Sequence, residues 1–140
     1  MGTCDLTVRG VDFDVDKYLK GSTLEPSKVF HRGEPTGSNL RPTTSCSGFR
    51  IDICKSDEDQ LDVQISKATE FLQAHGEDLK ELARIDSGTV EVELAVGLFW
   101  LSDTVCYSIT LPPRFLLFAG QYGVVVTLNV YATSEPASSI

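Results

Sequence analysis

From residue 61 the stretch "LDVQISKATEFLQA" returns an apolar side chain every three or four positions. Leu61, Ile65, Ala68 and Leu72 therefore form one stripe of an amphipathic helix. Such a helix must press its stripe against another layer. The flanking segments supply one, because they alternate with a period of two. Leu6 and Val8 stand out in "CDLTVRGV", and Phe49, Ile51 and Ile53 in "GFRIDIC". Further on, Val90, Val92, Leu94 and Val96 alternate with Glu91 and Glu93. A helix laid on half-buried strands is the frame to expect.

The remaining punctuation fills in that frame. Ser56 with Asp59 resembles a capping box, and Asp57, Glu58, Asp59 and Asp62 suit the positive end of the helix. Gly76 breaks or kinks it, and "EDLKELARID" adds further turns with Leu79, Leu82 and Ala83 inward. Asp14 can cap a short helix that Gly21 closes, and Pro112 and Pro113 can open another. "PSKVFHRG" reads as a short strand, followed by a polar loop over residues 33–48. "SDT" is expected to turn the chain after "GLFWL" into a hairpin strand, "VCYSITL". The last strand, "VVVTLNVYA", is apolar on both faces at its start and is expected in the middle of the sheet.

The fold class is therefore α+β: a single domain over residues 1–132, with residues 133–140 as a flexible tail. The sheet should be largely antiparallel with about five to six strands, covered by one long and two short helices. The first six elements are compatible with a ferredoxin-like unit.

Charge narrows the function. Twelve Lys and Arg stand against twenty Asp and Glu, a net charge of −8. Nucleic-acid binding depends on basic groups that neutralise phosphate, and no basic stripe is present. An acidic surface suits a basic protein partner. The opening "MGTCDLTVRG" has neither a basic nor an apolar signal region, and no apolar run reaches membrane-spanning length. A cytoplasmic protein without membrane contact is expected. Cys4, Cys46, Cys54 and Cys106 contain no C-x-x-C pair, so free thiols and no metal or other cofactor are expected.

Two stretches invite a catalytic or metal reading. "DFDVD" starts like a calcium loop, but its sixth and twelfth positions are Lys17 and Thr23 where glycine and glutamate are required. It also resembles the D-x-D of aspartyl-nucleophile phosphatases, whose doubly wound parallel sheet this element order does not provide. Capping and solvation account for its aspartates. "VFHRGEPTGSN" offers His31 as a base with Glu34 as its orienting acid. Neighbours on a strand point to opposite faces, so His31 and Arg32 would not converge on one substrate. His75, the other histidine, lies at the helix break with no acid at a triad spacing. No nucleophile elbow, Walker loop or dinucleotide fingerprint occurs.

Together, "VRGVDFDVDKYLKGSTLEPSKVFHRGEP", "SGFRIDI" and "ITLPPRFLLFAGQYGVVVTLNVY" resemble a bacterial family catalogued only as a domain of unknown function. The resemblance runs over residues 6–131 and rests on Gly10, Asp14, Leu24 with Pro26, and Arg32–Gly33–Glu34. Phe49 departs from it, standing where the family usually has tryptophan. Small acidic families of this kind resemble the immunity proteins encoded beside bacterial toxins, so the resemblance implies toxin neutralisation. The expected function is a non-enzymatic binding protein that occludes a basic toxin domain. Its candidate contacts are Arg32, Glu34, Asp57, Glu58, Asp59, Asp62, Glu91 and Glu93, with loop 33–48 beside them. The alternative is a small enzyme or ligand-binding domain centred on His31, Arg32 and Glu34.

Overall fold

The computed structural model describes residues 4–35, 45–54, 60–85, 90–101, 106 and 108–133. Its strands are β1 (Cys4–Gly10), β2 (Lys28–Phe30), β3 (Ser47–Cys54), β4 (Val90–Leu101) and β5 (Val125–Thr133). Its helices are α1 (Val15–Lys20), α2 (Leu61–Ala74), α3 (Gly76–Ile85) and α4 (Pro113–Gln121). One five-stranded sheet runs in the order β2-β3-β1-β4-β5. The first three neighbour pairs are antiparallel and β4–β5 is parallel. The first four strands thus have the order and directions of the βαββαβ unit, extended by one strand. The α+β expectation holds.

Alternation decides which face the helices cover. Cys4, Leu6 and Val8 of β1, Phe49 and Ile51 of β3, and Val92, Leu94 and Val96 of β4 are buried. Against them lie Ile65, Ala68 and Leu72 of α2, Leu79 and Leu82 of α3, and Phe115 and Ala119 of α4. The opposite face carries charge: Arg9 pairs with Glu91 and Glu93, and Arg50 with Asp52. The Asp14 side chain accepts from the Lys17 N–H at the start of α1. Pro112 and Pro113 open α4 as read from the sequence. The Ser56–Asp59 capping box falls outside the described residues.

The long helix divides at His75, giving two helices where one long element was expected. Gly76 sits against the Tyr122 ring at the end of α4, where a Cβ would overlap the ring. Gly48 is similarly confined: a Cβ there would overlap the Val8 carbonyl oxygen across the ladder, with the Phe30 ring also in contact.

Two expectations are corrected. Residues 108–111 form no strand, so the hairpin after β4 is absent among the described residues. Both edges of β4 are already taken, by β1 and by β5. Ile109 and Leu111 alternate because they tuck against the core without ladder partners. Nor is β5 central. It is the sheet's edge, paired with β4 alone, and of the apolar residues at its start Val124 is buried while Val125 is 52% exposed.

Cys4 and Cys54 are opposed across the β1–β3 ladder and both are buried; Cys46 is half-buried, Cys106 is exposed, and none of the four is in a disulfide. Burial, reinforced by Cys54, pushes the Cys4 thiol well above its ordinary range. A buried thiol held protonated is a weak nucleophile. Adding a reductant should therefore leave the melting temperature unchanged, and a drop of several degrees would reveal a structural disulfide. Leu72 is fully buried in the helix stripe, so Leu72→Ala should cost about 2–5 kcal/mol in a denaturant titration.

Candidate functional site

The register brings several candidates to one end of the sheet. Gly10, the last residue of β1, lies opposite both Ser47 and Val90, the first residues of β3 and β4. The chain after β2 comes to this end, where the Arg32 N–H donates to Ser47 Oγ at 2.9 Å. The Arg32 guanidinium reaches Asp12 Oδ1 at 3.4 Å, just beyond β1. Glu91 is at the same end, paired with Arg9 Nη2 at 2.6 Å.

His31 is clasped by two carboxylates. Nδ1 meets Glu34 Oε1 at 2.9 Å, and Nε2 meets Asp16 Oδ2 at 2.9 Å. The His31 backbone N–H also donates to Glu34 Oε1, at 2.5 Å. Hydrogen bonds to Glu34 first, then to Asp16, raise the pKa of the ring. The backbone N–H and the ring of His31 lower that of Glu34 in turn. With both ring nitrogens committed and the cation favoured, His31 is poorly disposed to accept a proton as a base. The clasp ties the turn after β2 to the start of α1.

A cleft of about 800 Å³ opens beside this clasp, between α1 and α3. Asp12, Asp14, Glu77, Asp78 and Glu81 line it, with Lys17, Tyr18 and Gly21. Its floor is fixed by hydrogen bonds between elements. Tyr18 donates to the Asp78 carbonyl oxygen at 2.6 Å, and Thr23 Oγ1 donates to Asp78 Oδ2 at 2.5 Å. Burial, then Asp78 and Glu81, push the Tyr18 hydroxyl pKa up, so it remains a donor. The rim stays in water: the Glu77 side chain is 94% exposed and that of Asp12 84%.

The other expected contacts separate from this end or are already occupied. Glu93 lies on the open sheet face, shared between Arg9 at 3.3 Å and Thr127 Oγ1 at 2.5 Å. Asp62 is in the first turn of α2, lining a different hollow of about 570 Å³ with Ile65, Arg114 and Phe115. In the same turn Gln64 donates to the Gly97 carbonyl oxygen at 3.0 Å, which places Asp62 toward the far end of β4. Asp57, Glu58 and Asp59 lie outside the described residues, as do 36–44 of the polar loop. Sequence reasoning missed Glu77, Asp78 and Glu81. Their one local signal was the spacing of Glu77 and Glu81, which puts both on one helix face.

Among the described residues, no group of three or more His, Cys, Asp and Glu is arranged to hold a metal ion. No helix among them is long and apolar enough to cross a membrane. A family described as a domain of unknown function, DUF4279, matches residues 2–133. The chain belongs to DUF4279. No curated protein and no solved structure matches it. In this DUF4279 chain the residue after Gly48, Phe49, is fully buried and stacks on Tyr18 with ring centroids 6.0 Å apart. It is a packing position beneath the cleft wall, since Tyr18 also lines the cleft.

The clasp gives a pH dependence of definite sign. The raised His31 pKa contributes stability that is fully present below the ordinary histidine value, about 6.5, and is lost as pH rises through the folded value. The lowered Glu34 pKa contributes stability present above the ordinary glutamate value, about 4.3, and lost as pH falls through its folded value. His31→Gln should therefore lower the melting temperature more at about pH 6 than at about pH 9. Equal losses at both pH values would show that the clasp carries no ionic contribution.

Proposed function

We propose that this chain is a non-enzymatic binding protein, an immunity protein that neutralises a bacterial toxin in the cytoplasm by occluding a basic surface. The acidic cleft between α1 and α3 carries the proposal. Five carboxylates face Lys17 around a concavity whose walls are held by the Tyr18 and Thr23 hydrogen bonds. A preformed acidic concavity pairs with Lys and Arg of a partner at little conformational cost. Arg32 adjoins the cleft through its contact with Asp12, whereas Glu91 lies at the same end but on the opposite face of the sheet. The commitment of His31 to two carboxylates speaks against the alternative of a small enzyme centred there. The reading calls for no cofactor and no nucleic acid.

The test uses a toxin domain encoded beside the gene. Asp12→Lys combined with Glu77→Lys should leave the fold intact, because both side chains are largely exposed. Association should slow by roughly tenfold or more, and wild-type association should weaken with added salt. Cells co-expressing the variant with the toxin should lose protection. Full protection and an unchanged on-rate in the double variant would reject the cleft. Reversing Asp57, Glu58 and Asp59 to Lys is the companion arm: protection lost there alone would move the contact to the start of α2.

A further inference from the structure

The two edges of the sheet are built differently. β2 has three residues, one of them Lys28, with Arg32 soon after. Short strands and cations are the usual protection of an edge against another chain. β5 has nine residues, Val125–Thr133, without Lys, Arg, Asp, Glu or Pro. It pairs with β4 in unbroken register, so no bulge turns its outer side away. At about 3.3 Å per residue this is an uncharged edge about 30 Å long. No strand covers it among the described residues.

Exposed apolar side chains concentrate there too. Val125, Val130 and Tyr131 of β5 are 52%, 44% and 51% exposed. Leu116 and Leu117 of α4, the helix that packs on β5, are exposed as well. Of the exposed large hydrophobics among the described residues, Val11 alone lies elsewhere.

We propose that β5 pairs antiparallel with β5 of a second copy of this chain, about a two-fold axis at Leu128. The strand's own pattern identifies the occupant. In a register centred on Leu128, Val125 faces Tyr131 on the open side of the sheet, and Val126 faces Val130 on the helix side. Leu128 meets itself, and Thr127 meets Asn129, polar against polar. Apolar residues of one copy thus face apolar residues of the other along the strand, which is the self-complementarity that an isologous contact needs. Neutrality matters as well. Each chain carries −8, and an edge without charge lets two such chains meet without like-charge contacts at the seam. A basic partner would find no carboxylate on β5, whereas the acidic cleft lies beyond α3 and stays open. The product is a continuous sheet of both copies with the two α4 helices on one face. This inference does not depend on the toxin reading.

Sedimentation and light scattering of the pure protein at about 100 μM test it. The expected species has twice the 15.3 kDa chain mass. Val125→Lys with Tyr131→Lys sets like charges opposite each other in this register and should give a monomer. Val125→Lys with Tyr131→Glu sets opposite charges there and should remain a dimer. Circular dichroism checks that both variants are folded, and both sites are exposed. As a measurement free of variants, amide exchange along β5 should be slower at high than at low protein concentration. A wild-type monomer at 100 μM, a dimer that persists in the double-Lys variant, or β5 exchange independent of concentration would each overturn the proposal.

Discussion

The central strand β1 is the constraint on which the rest of the structure depends. It hydrogen-bonds β3 on one side and β4 on the other, so its residues align two strands that are far apart in sequence. Leu6 lies between Ile51 and Leu94, and Val8 between Phe49 and Val92. A one-residue slip of β1 would turn these apolar triplets outward and drive Thr7 and Arg9 into the core. Ladder register and burial therefore enforce each other. Gly48 belongs to the same constraint, since its lack of a side chain lets β3 lie close against Val8 and Arg9.

The acidic end is built from the same strand. Where β1 ends, Asp12, Asp14 and Asp16 follow within one turn of chain, each with a different partner. Asp12 meets Arg32, Asp14 caps α1, and Asp16 meets His31. These contacts are exposed, and isolated exposed pairs contribute little stability each. Their effect is geometric. They hold the turn after β2 against α1, and α1 against α3 through Tyr18 and Thr23, so the cleft carboxylates keep a fixed arrangement. Like charges gathered in one place oppose folding slightly, and Lys17, Arg32 and His31 offset part of that repulsion.

Periodicity made the fold legible wherever an element had one wet side. Val90 to Val96 against Glu91 and Glu93, and the stripe from Leu61 to Leu72, announced both their type and their buried face. Legibility failed where burial and pairing came apart. Ile109 and Leu111 alternate like a strand but serve only to cover the core, and the apolar start of β5 implied a central place that the edge position denies. In both cases the deciding fact was the occupancy of β4's two edges, a long-range property that no local window contains. The site fared similarly. Arg32 and Glu34 were named as candidates because they cluster in sequence, whereas Glu77 and Glu81 come to line the cleft only when α3 meets α1. The capping role read for Asp14 was right, since a cap is made within four residues. That the same aspartates also border a cleft depends on a helix some sixty residues away, as the Tyr18–Asp78 separation of 60 shows.

The ladder between β1 and β4 has a kinetic consequence. Arg9 and Glu91 are 82 residues apart, so the core pairing closes a loop over more than half of the chain. Loop-closure entropy must be met before any of these contacts stabilises the chain, which places folding on the slow side for a domain of this size. The parallel strand β5 has no ladder partner until β4 is seated. During biosynthesis, therefore, the strand without a charged residue is the last to find its place, and it stays unpaired while the rest of the sheet assembles.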